Sequence, residues 1–158
     1  MDPLSELLKG NVGAQPCLAH GHPVAAVLTC MDARIDPLRV FGRGPGEIYC
    51  VRTAGHVAGP EVAGSLEIGL AVGCPLVLVM GHTDCAAVKL ARGGAREHYS
   101  VTRHISWAAR GLSRDASIDE AAEANVRFAV TELRSRLKGR VEGAMLDLAT
   151  GKVRALAC

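Results

Sequence analysis

Three short apolar runs, each with turn residues nearby, constrain the fold of this chain more than any other feature of its sequence. They span residues 24–29, 48–52 and 76–81. Continuous runs of aliphatic and β-branched residues of this length are typical of buried strands in a parallel sheet. Two neighbouring parallel strands must be joined by a crossover connection, which is usually a helix. Residues 60–72 predict a crossover helix, because they open with Pro and Glu and stop at Gly73.

A longer helix is predicted in the carboxyl-terminal half of the chain. Residues 117–120 read Ser-Ile-Asp-Glu, which is the form of a capping box. Apolar residues then repeat at helical spacing from Val126 to Leu137. Two exposed ion pairs of favourable polarity are predicted on this helix: Glu123 with Arg127, and Glu132 with Arg136.

The remaining segments complete one α/β domain. Residues 141–148 and 152–156 flank Ala-Thr-Gly and predict a hairpin or edge strand at the side of the sheet. Residues 84–92 predict a short helix, whereas the polar stretch from there to Ser113 has no period that predicts an element. Because the chain has 158 residues, we expect one α/β domain over residues 1–158, with a mostly parallel central sheet flanked by helices.

Composition excludes two kinds of partner. Aromatic residues make up 3% of the chain and the formal net charge is +2, which is too little for a stacking platform or a basic surface that binds nucleic acid. The longest apolar run is far shorter than the roughly 20 residues that a membrane helix needs. The amino terminus also lacks the basic start of a signal peptide. We therefore expect a cytoplasmic protein with no nucleic-acid partner and no membrane partner.

Two of the six cysteines and one histidine follow predicted strands. Cys30 directly follows the first apolar run, and His82 and Cys85 follow the third. Because ligands gather at the carboxyl ends of parallel strands, we expect these two clusters to converge. Two thiolates and one imidazole form a donor set that zinc prefers, and three protein ligands leave a fourth position open for chemistry. The other cysteines are expected to be inert or buried: Cys17, Cys50, Cys74 and Cys158.

A carboxylate and a guanidinium stand beside the first of these cysteines, so that the chain reads Cys30-x-Asp32-x-Arg34, followed later by His82-x-x-Cys85. This pattern resembles the zinc signature of the β-class carbonic anhydrases, and the short chain resembles the compact branch of that family. The resemblance implies that Cys30, His82 and Cys85 bind Zn2+ and that Asp32 and Arg34 form a catalytic hydrogen-bonded pair. In some members the aspartate itself fills the fourth zinc position, and the sequence leaves both resting states open.

The same resemblance implies an activity and an assembly. The activity is that of a lyase, the reversible hydration of carbon dioxide to bicarbonate by a zinc-bound hydroxide. The assembly is a homodimer or a higher homo-oligomer with the active site near the subunit interface.

Two departures from the family pattern keep other functions open. Thr53 stands where the family commonly has Asn, and Ala86 follows Cys85 where Gly is usual. A changed pocket leaves room for a hydrolase of carbon disulfide or carbonyl sulfide on the same zinc site. A third hypothesis is a non-catalytic zinc-binding module, but a purely structural site normally closes with a fourth protein ligand.

Several other polar residues have ordinary explanations. His56 is expected to be a solvated loop residue, with a proton-shuttle role as the secondary interpretation. Asp84 is expected to cap the helix that follows it. The remaining histidines lack ligand spacing and are expected at the surface: His20, His22, His98 and His104.

Overall fold

The computed structural model describes residues 3–9, 21–94 and 100–158, and its centre is a five-stranded sheet in the order β2-β1-β3-β4-β5. The strands are β1 (Ala25–Cys30), β2 (Ile48–Thr53), β3 (Val77–His82), β4 (Val141–Leu146) and β5 (Val153–Leu156). The α-helices are α1 (Pro3–Lys9), α2 (Pro37–Val40), α3 (Pro60–Ala71), α4 (Ala86–Arg92), α5 (Ser100–Ala108) and α6 (Ile118–Arg136). One 3₁₀ turn spans Ala54–His56. The predicted α/β fold is confirmed.

The sheet register brings the ends of β1, β2 and β3 to one edge. β1 pairs in parallel with β2 and β3, and Cys30 lies opposite Thr53. β3 pairs in parallel with β4, and His82 lies opposite Leu146. β5 returns antiparallel to β4, so the predicted carboxyl-terminal hairpin is confirmed. The loops after β1, β2 and β3 therefore start side by side.

The predicted crossover helix is α3, which begins with Pro60 at its first turn. Its buried residues are Ala63, Leu66 and Gly69, so one side of the helix packs on the sheet. Gly73, just after its end, has φ of +97°, a conformation that glycine adopts without steric cost. The crossover helix predicted over residues 60–72 is confirmed.

The predicted long helix is α6, and its local interactions form as expected. Ser117 and Glu120 make a reciprocal capping box at its start. Ion pairs join Arg127 to Glu123 at 2.7 Å and Arg136 to Glu132 at 3.3 Å. The buried side of α6 packs against β3 and β4, which ties the helix to the centre of the sheet.

The stretch without a predicted element contains α5. Thr102 and Ile105 are its buried residues, while the rest of the helix is exposed or half-buried. Val101, Ile105, Ala109 and Leu112 recur at helical spacing and pack in or against the core, so the expectation of a stretch without a period was wrong. No helix within the described ranges is long and apolar enough to cross a membrane.

The described cysteines outside the metal cluster differ in exposure, and one prediction about surface histidines is corrected. Cys74 is buried, but Cys50 and Cys158 are exposed, because they lie on the edge strand β2 and at the chain end. His22 is exposed as predicted. His104 is half-buried instead, because its ring packs edge-on against Phe128 with centroids 5.1 Å apart. Cys17, His20 and His98 lie outside the described residues.

Candidate metal centre

Cys30, His82 and Cys85 converge at the carboxyl edge of the sheet. One ligand atom from each residue lies within 4.8 Å of the others, and all three residues are buried. The Cys30 and Cys85 sulfurs are 4.0 Å apart. The turn between His82 and Cys85 places Asp84 at φ of +58°, a left-handed conformation that Asp adopts more readily than most residues. The cluster could therefore hold one metal ion.

The orientation of His82 fits a metal ligand. Its Nδ1 donates to the carbonyl oxygen of Thr83 at 2.8 Å, which fixes the tautomer with a lone pair on Nε2. That Nε2 atom is shielded from solvent and has no hydrogen-bond partner. A buried nitrogen without a partner is unfavourable unless something else binds it. The two sulfurs and this nitrogen match the donor set of zinc.

The charges of the three side chains also favour a cation. The hydrogen bond with Cys85 holds the pKa of Cys30 well below its usual range, and the same contact raises the pKa of Cys85. The backbone N–H of Gly55 also donates to the Cys30 sulfur at 3.3 Å. Burial lowers the pKa of His82, but the Cys30 sulfur outweighs it and the net pKa is raised. Metal binding would replace the protons that the cluster shares.

Asp32 and Arg34 form a two-pronged ion pair beside this cluster. Arg34 Nε donates to Asp32 Oδ1 at 2.9 Å, and Nη2 donates to Oδ2 at 2.7 Å. The Arg34 backbone N–H donates to Oδ1 as well, at 3.0 Å. The Arg34 side chain, through these hydrogen bonds, holds the pKa of Asp32 well below its usual range. Asp32 is therefore an oriented, ionised hydrogen-bond acceptor at neutral pH.

A second arginine, whose role no sequence motif predicts, supports the same loop. Arg52 lies on β2, and its Nε donates to the carbonyl oxygen of Cys30 at 3.1 Å. Its Nη2 donates to the carbonyl oxygen of Asp32 at 2.7 Å. Both acceptors are backbone atoms at or just after the end of β1, and the Asp32 carbonyl also accepts from the Ile35 N–H at 3.0 Å. Arg52 thus fixes the backbone that carries Cys30 and Asp32.

Asp84 does not cap α4, which corrects the sequence-based expectation. The cap position belongs to Cys85, and no side chain caps that helix end. The Asp84 carboxylate instead contacts Arg34 and Lys89, and these hydrogen bonds, that of Lys89 foremost, lower its pKa to about 2. The Asp84 backbone N–H donates to Asp119 Oδ1 at 2.8 Å. Its role is to connect the two loops of the site.

The geometry agrees with comparison to known proteins. A family model described as carbonic anhydrase matches residues 25–153. The chain belongs to the carbonic anhydrase family. A solved β-carbonic anhydrase from Coccomyxa superposes with a TM-score of 0.74 at 22% identity, covering 96% of this chain and 77% of the other. The likeness shows that this chain has the same fold as that β-carbonic anhydrase.

Curated carbonic anhydrases match this chain at higher identity over a part of its length than over most of it. Carbonic anhydrase 2 of Mycobacterium tuberculosis is 41% identical over 70 residues, which are 44% of this chain and 34% of that protein. The carbonic anhydrase of Pseudomonas aeruginosa is 29% identical over 161 aligned positions, covering 85% of this chain and 73% of the relative. The chain thus spans about a third of the first curated relatives that it matches.

The two positions that depart from the carbonic anhydrase pattern have clear places in the structure. Thr53 ends β2, and its hydroxyl donates to the carbonyl oxygen of Val57 at 3.1 Å, closing the 3₁₀ turn between them. Ala86 is exposed at the first position of α4. Neither side chain belongs to the three-ligand cluster.

His56 is fully buried, which corrects the expectation of a solvated loop residue. It lies in the 3₁₀ turn after β2, and burial lowers the pKa of its imidazole to about 3. Its Nε2 contacts Asn125 Nδ2 at 2.9 Å. An imidazole with this pKa and no solvent contact is poorly suited to shuttle protons at neutral pH.

Proposed function

We propose that this chain is a zinc-dependent carbonic anhydrase that hydrates carbon dioxide reversibly to bicarbonate. Cys30, His82 and Cys85 would hold the zinc ion, and Asp32 and Arg34 would act beside it. The observation that carries this proposal is the convergence of three buried ligand atoms within 4.8 Å next to an oriented carboxylate. Membership of the carbonic anhydrase family supports the same activity.

The chemistry follows from the roles of the donor set and of the ion pair. A bound zinc ion would lower the pKa of a water molecule at its open position and so supply a nucleophile near neutral pH. Asp32 would accept a hydrogen bond from the attacking water and aim its oxygen at the carbon of carbon dioxide. The new C–O bond forms bicarbonate, and one proton per turnover passes to solvent or buffer, because Asp32 has too low a pKa to retain it.

Arg34 supports this role by fixing the carboxylate. Its guanidinium engages both oxygens of Asp32, so the carboxylate cannot rotate without losing a charge-assisted hydrogen bond. The Asp32 side chain is only 12% exposed, which limits competition from bulk water. A purely structural zinc site needs no such pair, and the cluster among the described residues offers three ligands instead of four.

A stopped-flow comparison tests the proposed activity and its substrate. Zinc-loaded protein is expected to hydrate carbon dioxide far faster than it hydrolyses carbonyl sulfide or carbon disulfide. Cys85→Ser is expected to lose both stoichiometric zinc and turnover, whereas Cys50→Ser, which changes an exposed cysteine on β2, keeps both. Faster turnover of carbonyl sulfide or carbon disulfide than of carbon dioxide would show that the protein is a hydrolase of that sulfur compound instead. Bound zinc without turnover of any of the three would show a non-catalytic zinc module.

We further propose that the chain forms a homodimer or a higher homo-oligomer through the outer edge of its sheet. β2 is an edge strand, and Tyr49 on it lies beside Gly69 of α3. Ile68 and Val72, on and just after that helix, are 67% and 63% exposed. An exposed apolar surface along a strand edge that no other described strand pairs with suits a second copy of the chain. Sedimentation velocity that shows only monomer at micromolar concentration would exclude this assembly.

The proposed activity also needs a reducing compartment such as the cytoplasm. Cys30 and Cys85 lie 4.0 Å apart and must both be thiolates to hold zinc. Oxidation to a disulfide would remove both ligands at once. Retention of the protein and its activity in the cytosolic fraction of its native cells checks this location.

A further inference from the structure

The turn after β2 has a backbone that must be held in place. Gly55 has φ of +62° and the next residue, His56, has φ of +49°. Two consecutive left-handed residues are rare, and a histidine pays a steric penalty there that glycine avoids. A Cβ on Gly55 would lie 2.6 Å from Ile105 Cδ1, so the turn is also tightly packed. Such a conformation persists only where neighbouring groups fix it.

Asn125 on α6 is the group that fixes it. Its Nδ2 donates to the carbonyl oxygen of Gly55 at 2.7 Å and to His56 Nε2 at 2.9 Å. Asn125 and His56 are both 0% exposed, so neither hydrogen bond competes with water. The two hydrogens of one amide group thus bind two consecutive residues of the turn.

The same turn contacts a residue of the metal centre. The Gly55 backbone N–H donates to the Cys30 sulfur at 3.3 Å, and it belongs to the peptide group just before the one whose carbonyl Asn125 holds. A hydrogen bond to a thiolate ligand reduces its electron donation and fixes its direction. Asn125 is therefore linked to the metal centre through Gly55, and these hydrogen bonds do not join it directly to a proposed ligand.

We propose that Asn125 is a positioning residue that sets the hydrogen bond from Gly55 N–H to the Cys30 sulfur and thereby tunes the metal centre. This inference rests on the proposed function, because it requires that Cys30 binds a metal ion. Asn125 holds the carbonyl of Gly55, and the resulting orientation of the turn directs the adjacent N–H at the sulfur.

Packing alone does not account for this pair of side chains. Asn125 Oδ1 and His56 Nδ1 are both buried without a hydrogen-bond partner among the described residues. Unpaired buried polar atoms are unfavourable, and an apolar residue of similar size would avoid them. The neighbours of Asn125 along the same side of α6, Ala121 and Ala129, are small and apolar. The Asn125 amide thus occupies a position where stability alone favours an aliphatic side chain.

Cobalt substitution tests the proposal by a readout that general destabilisation does not move. Asn125→Leu keeps the branching and the number of side-chain heavy atoms and removes both hydrogen bonds, and the smaller Asn125→Ser serves if the first variant fails to fold. In the cobalt(II)-loaded variant, the sulfur-to-cobalt charge-transfer band is expected to move to longer wavelength, because a thiolate without its N–H donor gives up charge more easily. Zinc affinity, measured by chelator competition, is expected to fall about tenfold.

Val130→Ala is the matched control, because it destabilises the same helix without touching the turn. Val130 is fully buried on α6 and packs near Gly143 of β4. This variant is expected to lose stability while its cobalt spectrum and zinc affinity stay at the wild-type values. Equal spectral shifts in Val130→Ala and in the Asn125 variant would overturn the proposal, as would a wild-type spectrum in the Asn125 variant.

A measurement on the wild-type protein keeps the proposal falsifiable without any variant. In protein loaded with cadmium-113, the Gly55 amide proton is expected to show scalar coupling to the metal through the Cys30 sulfur. Absence of that coupling in cadmium-loaded protein would overturn the inference and leave the metal site intact. Wild-type protein that binds neither zinc, cobalt nor cadmium would overturn the proposed metal site, and this inference with it.

Discussion

Arg34 and Asp84 form an ion pair across 50 residues of sequence, with Arg34 Nη1 2.9 Å from Asp84 Oδ2. Arg34 Nη2 also donates to the carbonyl oxygen of Asp84 at 3.2 Å. The same guanidinium holds Asp32, so one side chain joins the loop after β1 to the loop after β3. The first of these loops starts at Cys30, and the second runs from His82 to Cys85. The ion pair thus links the orientation of Asp32 to the backbone beside Cys85.

Removing the charge of Asp84 is expected to weaken this link slightly. Asp84→Asn tolerates the left-handed backbone and loses only the charge, so folding is preserved. The ion pair is half-exposed, which limits its contribution to about 1 kcal/mol or less. We therefore expect about a two- to fivefold lower kcat/KM for carbon dioxide hydration, with full zinc content. Glu142→Gln, which removes an acid paired with Arg134 and Arg140, should leave kcat/KM unchanged.

Replacing Arg34 by lysine is expected to have a larger effect. Lysine keeps the charge but cannot engage both oxygens of Asp32 through a planar fork. The carboxylate can then rotate, and we expect kcat/KM to fall about 10- to 100-fold while zinc remains bound. Stopped-flow hydration and metal analysis measure the two quantities. A change of less than twofold would contradict a positioning role for the fork, and Arg43→Lys, in an ion pair with Glu47, is the control.

The sheet was predictable because buried parallel strands are continuous apolar runs, but the last residue of each strand was not. β1, β2 and β3 each extend to a polar or ligand residue: Cys30, Thr53 and His82. Backbone register, not side-chain polarity, keeps these residues in the sheet. Hydropathy patterns therefore place the proposed ligands just after the strands, although Cys30 and His82 pair with residues of neighbouring strands.

The residue types of the metal cluster were also predictable, whereas their long-range partners were not. Because Cys30 and His82 lie at the ends of parallel strands, they come to the same edge of the sheet independently of the loop conformations. The choice of Arg34 as partner of Asp84, and of Asn125 as partner of His56, depends on how loops and α6 pack. One signal did exist in the sequence: an amide at position 125 interrupts the apolar side of a helix, where a buried polar residue normally has a specific partner.

The capping box of α6 predicts a pH-dependent contribution to stability. The backbone N–H of Ser117, with its hydroxyl, lowers the pKa of Glu120 below the ordinary 4.5. A lowered folded-state pKa stabilises the protein above that ordinary value, and the contribution is lost as the pH falls through the lower folded-state pKa. Urea unfolding should therefore show Glu120→Gln to be less stable than wild type at pH 7, with the difference shrinking towards pH 3. A constant difference across this range would contradict the charge effect.

Gly81 tests how closely α6 must approach β3 beside the metal centre. A Cβ at this position would lie 2.6 Å from Val126 Cγ2 and 2.8 Å from Met145 Sδ, both in the buried core. Gly81→Ala should therefore lower the free energy of unfolding by about 1–3 kcal/mol through overpacking. Gly64→Ala is the matched control, because a Cβ there meets no atom within 4 Å and Gly64 lies inside α3. The control should raise the free energy of unfolding by about 0.5–1 kcal/mol, since alanine favours a helix interior over glycine. Opposite signs for the two substitutions in urea unfolding would confirm the close approach, whereas equal effects would show that β3 and α6 have room for a methyl group beside His82.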